Sequence, residues 1–517
     1  MIARGLTFLV FLSAAFGAQP CESLAKLALA ATTITRAESV PAASFVPPGG
    51  KVAVPDLPAF CRVAGAIKPS IDSDIQFEVW MPASGWNGRF QGAGNGGFAG
   101  SISYPQMQAA LAAGFATAST DTGHQAGTTD AAWALGHPEK IIDFGYRAIH
   151  LMTVDAKAII HAFYGEGPRR SYFSSCSNGG RQALMEAQRF PEDYDGIVAG
   201  APANYWTHLL ANSVWDLLAV TGDSYIPAKK LPAIQAAALA VCDALDGLKD
   251  GVIEDPSRCH FDPGSLQCQG AETDACLTAP QVTALKKLYA GDVFPGYEPG
   301  GEGEPGGWAT WITGQAPEKS LMFVFGTQFY KYMMFANAAW DYHNFDVDRD
   351  TKAADEKLAG ILNATDPDLS RFRAREGKLI LYHGWSDAAI APLNALNYYQ
   401  SVVSKAGAGD ARGFVRLFMV PGMQHCIGGS GPSNFGQFGG ATGDADHDIG
   451  AAIERWVEQG IAPERIVAAK RKSDLDPKSE VLRTRPLCAY PSVAHYKGSG
   501  SVDEAGNFVC GAETQAR

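Results

Sequence analysis

Along the first 200 residues, short apolar runs alternate with segments in which apolar positions have helical spacing. Short apolar runs typical of β-strands occur at 77–81, 89–91, 115–119 and 171–174. Segments with helical spacing separate them, at 106–113, 143–164 and 180–189. Strands that alternate with helices indicate an α/β domain with a mostly parallel sheet.

The pattern changes after Ala203. Residues 204–370 carry short helical segments and turns rich in glycine and proline, and strand signals return only at 378–382 and 414–420. A last helix is predicted at Ile449–Gln459. We therefore predict one α/β domain in two parts, residues 19–203 and 371–517, interrupted by an inserted lid at 204–370.

The N-terminus resembles an export signal. Arg4 precedes an apolar run at 6–15, and small residues follow it, so we predict a signal peptide at 1–18 and a secreted protein, extracellular or periplasmic. An N-terminal core helix is the alternative, and the run is too short to span a membrane. All ten cysteines lie beyond residue 18 without zinc spacing, which favours disulfide bonds.

The formal net charge of the 517 residues is −12. A surface of this sign repels nucleic acid and anionic membranes. We therefore expect neither as a partner.

The segment 172–181 has the features of a nucleophile elbow. A strand runs into Ser175, Ser177 and Gly179 and then directly into a helix, which would expose the Ser177 hydroxyl on a tight turn. The backbone N–H of Asn178 would face an oxyanion at the helix N-terminus. Ser175 stands where the usual motif has glycine, and a polar strand-to-helix turn is the alternative interpretation.

A serine nucleophile requires a histidine base and an acid that orients it. Asp387 follows the strand at 378–382, and His425 follows the strand at 414–420. Asp387 alone fits a helix N-cap, and His425 alone fits a turn. Because serine, acid and histidine arrive in the order of an α/β-hydrolase fold, each after a strand, we predict that Ser177, Asp387 and His425 form a catalytic triad.

Two further features support this site. Cys176 precedes Ser177 and Cys426 follows His425, so contact between serine and histidine would bring the two cysteines within bonding distance. The glycine-rich loop 91–97 follows an early strand, where this fold supplies its second oxyanion donor. Gly94 and Gly96 are the candidates.

The chain resembles the tannase and feruloyl esterase family, which includes mono(2-hydroxyethyl) terephthalate hydrolases. The motifs that carry the resemblance are 176–182, 188–197, 200–203, 383–387 and the pair His425-Cys426. It implies an α/β-hydrolase fold with a large inserted lid domain, and a secreted serine carboxylic ester hydrolase. The expected substrates are small aromatic esters, feruloyl or galloyl, or polysaccharides and polyphenols that carry them.

The resemblance also implies details that the residues alone leave open. It pairs the cysteines as Cys21 with Cys61, Cys176 with Cys426, Cys242 with Cys259, Cys268 with Cys276 and Cys488 with Cys510. It implies a structural Ca²⁺ in the lid, bound by the side chains of Asp243, Asp246 and Asp250 and by the carbonyls of Leu248 and Val252. From composition alone, a solvated acidic turn is an equal alternative.

Two other classes of function compete with this interpretation. Asp444, Asp446, His447 and Asp448 suggest a metal-dependent hydrolase, but their spacing fits a cap of the helix at Ile449 better. A secreted binding module without activity would make the three triad residues coincidental.

The lid sequence bears on the choice of substrate. Aromatic residues are dense in it, and some of them would stack on an aromatic acyl group. The aromatic positions are Trp308, Trp311, Phe323, Phe325, Phe329, Tyr330, Tyr332, Phe335, Trp340, Tyr342 and Phe345. Related terephthalate-monoester hydrolases use a lid arginine, but no arginine occurs here between Arg258 and Arg349, and Lys331 is a less directional cation. We expect a preference for neutral acyl groups, with a terephthalate monoesterase as the alternative.

Overall fold

A computed structural model describes residues 19–48, 53–438, 444–476 and 478–512. The predicted signal peptide, 1–18, lies outside the described residues. Within the described residues, no helix has the length and apolar character needed to cross a membrane.

The strands of the described chain fall into one large sheet and three small hairpin sheets. Their bounds are β1 Thr32–Val40, β2 Ala43–Phe45, β3 Val54–Leu57, β4 Phe60–Ile67, β5 Ile75–Pro82, β6 Arg89–Ala93, β7 Ala116–Thr120, β8 Arg170–Cys176, β9 Gly196–Gly200, β10 Lys378–Gly384, β11 Val415–Val420, β12 Arg465–Arg471, β13 Val481–Cys488, β14 Ser492–Tyr496 and β15 Phe508–Ala512.

The α-helices connect these strands and form most of the segment between β9 and β10. Their bounds are α1 Tyr104–Ala112, α2 Pro138–Ile142, α3 Ala148–Tyr164, α4 Asn178–Arg189, α5 Trp206–Ala219, α6 Leu231–Cys242, α7 Ala279–Ala290, α8 Trp308–Trp311, α9 Leu321–Gln328, α10 Val347–Ala354, α11 Gly360–Leu362, α12 Ser370–Ala374, α13 Leu393–Ala406, α14 Ala408–Ala411 and α15 Ile449–Gln459. A π-helical turn, Asp143–Arg147, joins α2 to α3.

The large sheet has nine strands in the order β1-β4-β5-β7-β6-β8-β9-β10-β11. From β7 to β11 all neighbours are parallel, whereas β1, β4, β5 and β7 pair antiparallel. This arrangement confirms the predicted α/β class. The carboxyl ends of β8, β10 and β11 lie at one edge of the sheet, so the residues that follow them share one end of the molecule.

Alternate residues of the parallel strands pack into two different hydrophobic clusters. Phe173 and Ile197 join a cluster that includes residues of α3 and α13. Tyr172 and Val198 join the cluster that includes residues of α15. Helices therefore cover both faces of the sheet, which explains why the parallel strands are apolar on both sides.

Residues 201–377, here called the helical insertion, lie between β9 and β10. This stretch is described throughout and contributes helices α5 to α12 but no strand of the nine-stranded sheet. Its own hydrophobic cluster includes Trp206, Trp308 and Phe329, together with Phe98 and Ile390 from loops at the strand ends. The insertion therefore packs on the end of the sheet where the predicted site residues lie.

The cysteines form the five pairs that the family resemblance implies. The bonds are Cys21–Cys61, Cys176–Cys426, Cys242–Cys259, Cys268–Cys276 and Cys488–Cys510. Four of them close loops of 8 to 40 residues, whereas Cys176–Cys426 spans 250 residues. That bond links the two parts of the sheet across the whole helical insertion.

Candidate active site

Ser177 lies on a sharp turn between β8 and α4. Its backbone has φ 67° and ψ −126°, which is a strained conformation for a residue with a side chain. The turn is held because the Ser177 N–H donates to the carbonyl of Gly200 at 3.0 Å. The turn also requires a glycine two residues after Ser177, since a Cβ at Gly179 would lie 1.9 Å from Ser175 Oγ. This is the geometry of a nucleophile elbow.

Asp387 and His425 follow β10 and β11 and meet at the same end of the sheet. His425 Nδ1 donates to Asp387 Oδ2 at 2.8 Å. The other Asp387 oxygen, Oδ1, accepts the backbone N–H groups of Ala389 and Ile390 at 2.8 and 3.0 Å. With one nitrogen bonded to the carboxylate, the His425 ring presents its other nitrogen, Nε2, as a base.

The Asp387 carboxylate stays ionised although it is 2% exposed. Burial acts to raise its pKa, but the charge of His425 and the hydrogen bonds from His383 and His425 hold the pKa well below its usual range. A carboxylate that remains charged at neutral pH can orient an imidazole and stabilise it when it gains a proton.

His383 is a residue of this site that the sequence analysis did not assign. It is fully buried at the end of β10, and its Nε2 lies 3.1 Å from Asp387 Oδ2 and 3.0 Å from the carbonyl of Ile390. Because a carboxylate only accepts, Nε2 carries the proton and donates. The spacing of four residues between His383 and Asp387 was the available signal.

The disulfide Cys176–Cys426 joins the nucleophile turn to the histidine loop. Its Cα atoms are 6.2 Å apart, within the usual range. Ser177 and His425 are the chain neighbours of the two cysteines, and both line the same cleft. The structure therefore brings together the three residues that the sequence predicts for the triad.

The glycine-rich loop after β6 lies beside the elbow, but its two candidate glycines differ in position. Gly94 packs beneath the turn, where an added Cβ would lie 2.6 Å from Gln182 Oε1 and 2.9 Å from Ser175 Oγ. Gly96 is exposed, and Gly97 lines the cleft with Ser177. The geometry therefore favours the Gly96–Gly97 end of the loop over Gly94 as the part that faces a substrate.

The cleft beside Ser177 is small and mainly apolar. Its lining residues are Gly97, Ser177, Asn178, Ala203, Trp206, Leu209, Leu210, Ser213, Trp311, Met322, Phe325, Ala389, Ile390 and His425. Trp311 contacts the His425 ring edge-to-face at 5.1 Å and stacks on Phe325 at 6.0 Å. Of the aromatic residues that the sequence analysis named in the helical insertion, only Trp311 and Phe325 line this cleft. Trp308, Phe329 and Tyr330 are instead buried in the hydrophobic cluster of the insertion.

The acidic segment at the end of α6 folds into a compact turn. Asp243 Oδ1 and Oδ2 accept the backbone N–H groups of Asp250 and Gly251, each at 3.2 Å. Asp250 Oδ2 accepts from Arg485 at 2.6 Å. A small cavity beside the turn is lined by Asp246, Asp250, Val252 and Glu254, among others.

The competing cluster near residue 446 lies away from the cleft lining. The Asp448 side chain accepts the N–H of Ala451 at 2.9 Å and caps α15, as predicted. The His447 Nδ1 donates to Asp444 Oδ2 at 2.6 Å on the exposed surface. These contacts explain the cluster as a helix cap and do not require a catalytic metal.

Comparison with known proteins gives consistent results. The tannase and feruloyl esterase family matches residues 61–511. An uncharacterized esterase of Xanthomonas campestris pv. campestris is 47% identical over 96% of this chain and 92% of its own length. A mono(2-hydroxyethyl) terephthalate hydrolase of Piscinibacter sakaiensis is 35% identical over 88% and 85% of the two chains.

Solved structures agree with this similarity. Feruloyl esterase B from Aspergillus oryzae superimposes with a TM-score of 0.87 at 31% identity, covering 95% of this chain and 99% of that chain. Tannin acyl hydrolase from Aspergillus niger has a TM-score of 0.75 at 22% identity, covering 96% and 94% of the two chains, and shows the same fold.

Proposed function

This chain belongs to the tannase and feruloyl esterase family and is a carboxylic ester hydrolase, and on that premise we propose that it cleaves esters of neutral aromatic acids through an acyl-enzyme on Ser177. The observation that carries the proposal is that Ser177 and His425 line one cleft together with aromatic residues, and that His425 is hydrogen-bonded to Asp387.

In the proposed first half-reaction, Ser177 Oγ attacks the ester carbonyl carbon while His425 Nε2 takes the hydroxyl proton. The carbonyl oxygen becomes an oxyanion. When the tetrahedral intermediate collapses, the ester C–O bond breaks and His425 returns its proton to the departing alcohol. In the second half, water attacks the acyl-serine with His425 as base, and the free acid and Ser177 are released.

The oxyanion requires at least one N–H donor at a fixed position. Asn178 N–H lies at the first position of α4, where the helix dipole also favours negative charge. In the glycine-rich loop and just after it, the N–H groups of Asn95, Phe98 and Ala99 already donate to other acceptors. We therefore assign the second donor to the N–H of Gly96 or Gly97, with Gly97 favoured because it lines the cleft.

The cleft supports a neutral aromatic acyl group. Trp206, Trp311 and Phe325 line it, which suits contact with an aromatic ring, and the remaining lining is mainly aliphatic. Within the described lining, His425 is the only residue able to carry a charge. A second carboxylate on the acyl group would be desolvated there without a cation to pair with it, which costs free energy.

The terephthalate monoesterase alternative has one finding in its favour, since a relative at 35% identity is a mono(2-hydroxyethyl) terephthalate hydrolase. That substrate carries the second carboxylate for which this cleft has no cation. We therefore place hydroxycinnamoyl and galloyl esters ahead of it, either as small esters or attached to a polysaccharide or polyphenol.

We also propose a structural Ca²⁺ on the acidic turn. Asp246 and Asp250 line a small cavity, and burial raises the pKa of the Asp246 carboxyl, so a cation there would relieve the cost of the buried charge. Asp243 orders the turn through its bonds to backbone N–H groups. The carbonyls of Leu248 and Val252 complete the proposed ligand set, and the hydrogen bond from Arg485 to Asp250 competes with it.

Five disulfides favour secretion, because such bonds persist in oxidising compartments. Together with the export signal expected at 1–18, they lead us to propose an extracellular or periplasmic location.

The substrate proposal is tested with two matched pairs of esters. Dimethyl terephthalate and monomethyl terephthalate differ only in the second carboxylate, and methyl ferulate and methyl gallate differ in the acyl frame. We expect kcat/KM to be higher for dimethyl terephthalate, and for at least one of the two phenolic esters, than for monomethyl terephthalate. Ser177→Ala serves as the blank. A clear preference for monomethyl or mono(2-hydroxyethyl) terephthalate would contradict the neutral-acyl assignment while leaving the serine mechanism intact.

A further inference from the structure

A fully buried arginine lies one turn beyond the nucleophile. Arg181, on α4, is 0% exposed, and its Nε–H donates to Asn178 Oδ1 at 2.8 Å. Its remaining bonds go to backbone carbonyls, from Nη1 to Gly145 O at 2.7 Å and Leu362 O at 3.3 Å, and from Nη2 to Phe144 O at 3.0 Å. The guanidinium is thus satisfied by neutral acceptors.

Among the residues that the structure describes, no carboxylate pairs with the charge of Arg181. None of the ion pairs found among the described residues includes it; instead the guanidinium lies over the rings of Phe144 and Trp206, at 4.8 and 5.2 Å. Burial lowers the pKa of the guanidinium to about 9, so it remains protonated at neutral pH. A buried cation balanced only by dipoles and ring faces is costly, and its field is weakly screened.

Asn178 connects this charge to both parts of the oxyanion site. Its backbone N–H is the proposed first donor, and its side-chain Nδ2 donates to the carbonyl of Asn95 at 3.3 Å. Asn95 N–H in turn donates to Gln182 Oε1 at 3.0 Å. The loop that carries Gly96 and Gly97 is therefore tied to the first turns of α4, with Arg181 bonded to the amide in the middle.

We propose that Arg181 is a positioning residue of the oxyanion site, whose unpaired charge beneath the first turn of α4 favours the developing oxyanion and whose bond to Asn178 holds that amide against the glycine-rich loop. This inference rests on the proposed acyl-enzyme at Ser177. Because the ground-state ester is neutral and the tetrahedral intermediate is anionic, the charge acts mainly on kcat and little on KM.

Two variants separate the charge from the anchoring role. Arg181→Met removes the charge and keeps the length, whereas Arg181→Lys keeps a charge and loses most of the carbonyl contacts. We expect both to lower Tm. Arg181→Met should lower kcat by on the order of tenfold to a hundredfold with KM little changed, and Arg181→Lys should recover most of kcat. Equal losses of kcat in both variants, in proportion to Tm, would show a purely structural residue.

Asn178→Asp gives a second test if both arginine variants fold poorly, since it pairs the native guanidinium with a carboxylate of the same shape. The carboxylate also loses the Asn178 Nδ2 bond to the Asn95 carbonyl, so the test rests on kcat and not on Tm. We expect kcat to be lower, and an unchanged kcat overturns the proposal. Labelling of Ser177 by a fluorophosphonate keeps the two proposals distinguishable. If unaltered Ser177 is not labelled in the wild-type protein, the acyl-enzyme itself is wrong, whereas normal labelling with an unaffected Arg181→Met kcat rejects only the role of Arg181.

Discussion

Removal of the Cys176–Cys426 bond is expected to lower kcat more than removal of a disulfide that contributes similarly to the stability of the fold. The bond closes a loop of 250 residues and joins the neighbours of Ser177 and His425. In the chain-entropy model such a loop contributes up to about 5 kcal/mol to the free energy of unfolding. Without the bond, β8 and β11 still hold the two loops, but a displacement of about 1 Å between nucleophile and base costs about a hundredfold in rate.

The matched control is the Cys21–Cys61 bond, which closes 40 residues and ties the short 3₁₀ helix Cys21–Lys26 to β4, four strands away from β8 in the sheet order. The same model gives it about 4 kcal/mol. Both double alanine variants should therefore lower Tm by similar amounts.

The two double variants are compared by kcat for methyl ferulate, at a temperature well below both unfolding transitions, and by thermal unfolding followed by circular dichroism. Cys176→Ala/Cys426→Ala should lose on the order of a hundredfold in kcat while unfolding cooperatively, and Cys21→Ala/Cys61→Ala should keep its kcat. Equal kcat in both variants would refute the view that the bond positions the catalytic groups.

Three further predictions concern single groups. Asp387→Asn replaces the carboxylate that accepts the His425 Nδ1 proton with a neutral amide and should lower kcat by roughly 10⁴-fold, as in other serine triads, with KM nearly constant; a loss under tenfold in steady-state kinetics would contradict the assignment. Chelation by EDTA should lower Tm by several degrees and leave kcat at 20 °C unchanged, and Asp246→Asn should abolish that Tm shift; an unchanged melting curve would favour a solvated acidic turn. Burial raises the pKa of Asp216 to about 8, so the folded protein retains a proton that the unfolded chain releases above about pH 4, and this carboxyl costs stability increasingly from about pH 4 to pH 8. Asp216→Asn should therefore gain stability over wild type as pH rises from 5 to 8 in urea unfolding; parallel pH profiles would show that Asp216 is ionised.

The sequence pattern predicted the strands that carry the site because they are buried on both faces. β10 and β11 were expected at 378–382 and 414–420 and lie at Lys378–Gly384 and Val415–Val420. β9, Gly196–Gly200, was missed because its two glycines argue against a strand. The structure explains them, since a Cβ at Gly200 would lie 2.1 Å from the Tyr382 ring and one at Gly196 would lie 2.7 Å from the Tyr172 ring.

The site was predictable where chemistry depends on residue type and order along the chain. Ser177, Asp387 and His425 are such residues, whereas the contribution of His383 depends on a buried contact between side chains. The choice among glycines depended on the path of a loop, and the loop turns Gly94 under the elbow. Composition likewise could not tell which aromatic residues of the helical insertion face the cleft, because packing decides between core and lining.

The central claim is that Ser177 forms a covalent acyl-enzyme with His425 as its base. Intact-mass spectrometry after brief treatment with a fluorophosphonate, followed by peptide mapping, tests it directly. The account predicts one adduct per chain on the peptide that contains Ser177, complete in the presence of EDTA and absent in Ser177→Ala. Labelling at another serine, or unchanged ester hydrolysis in Ser177→Ala, would contradict it.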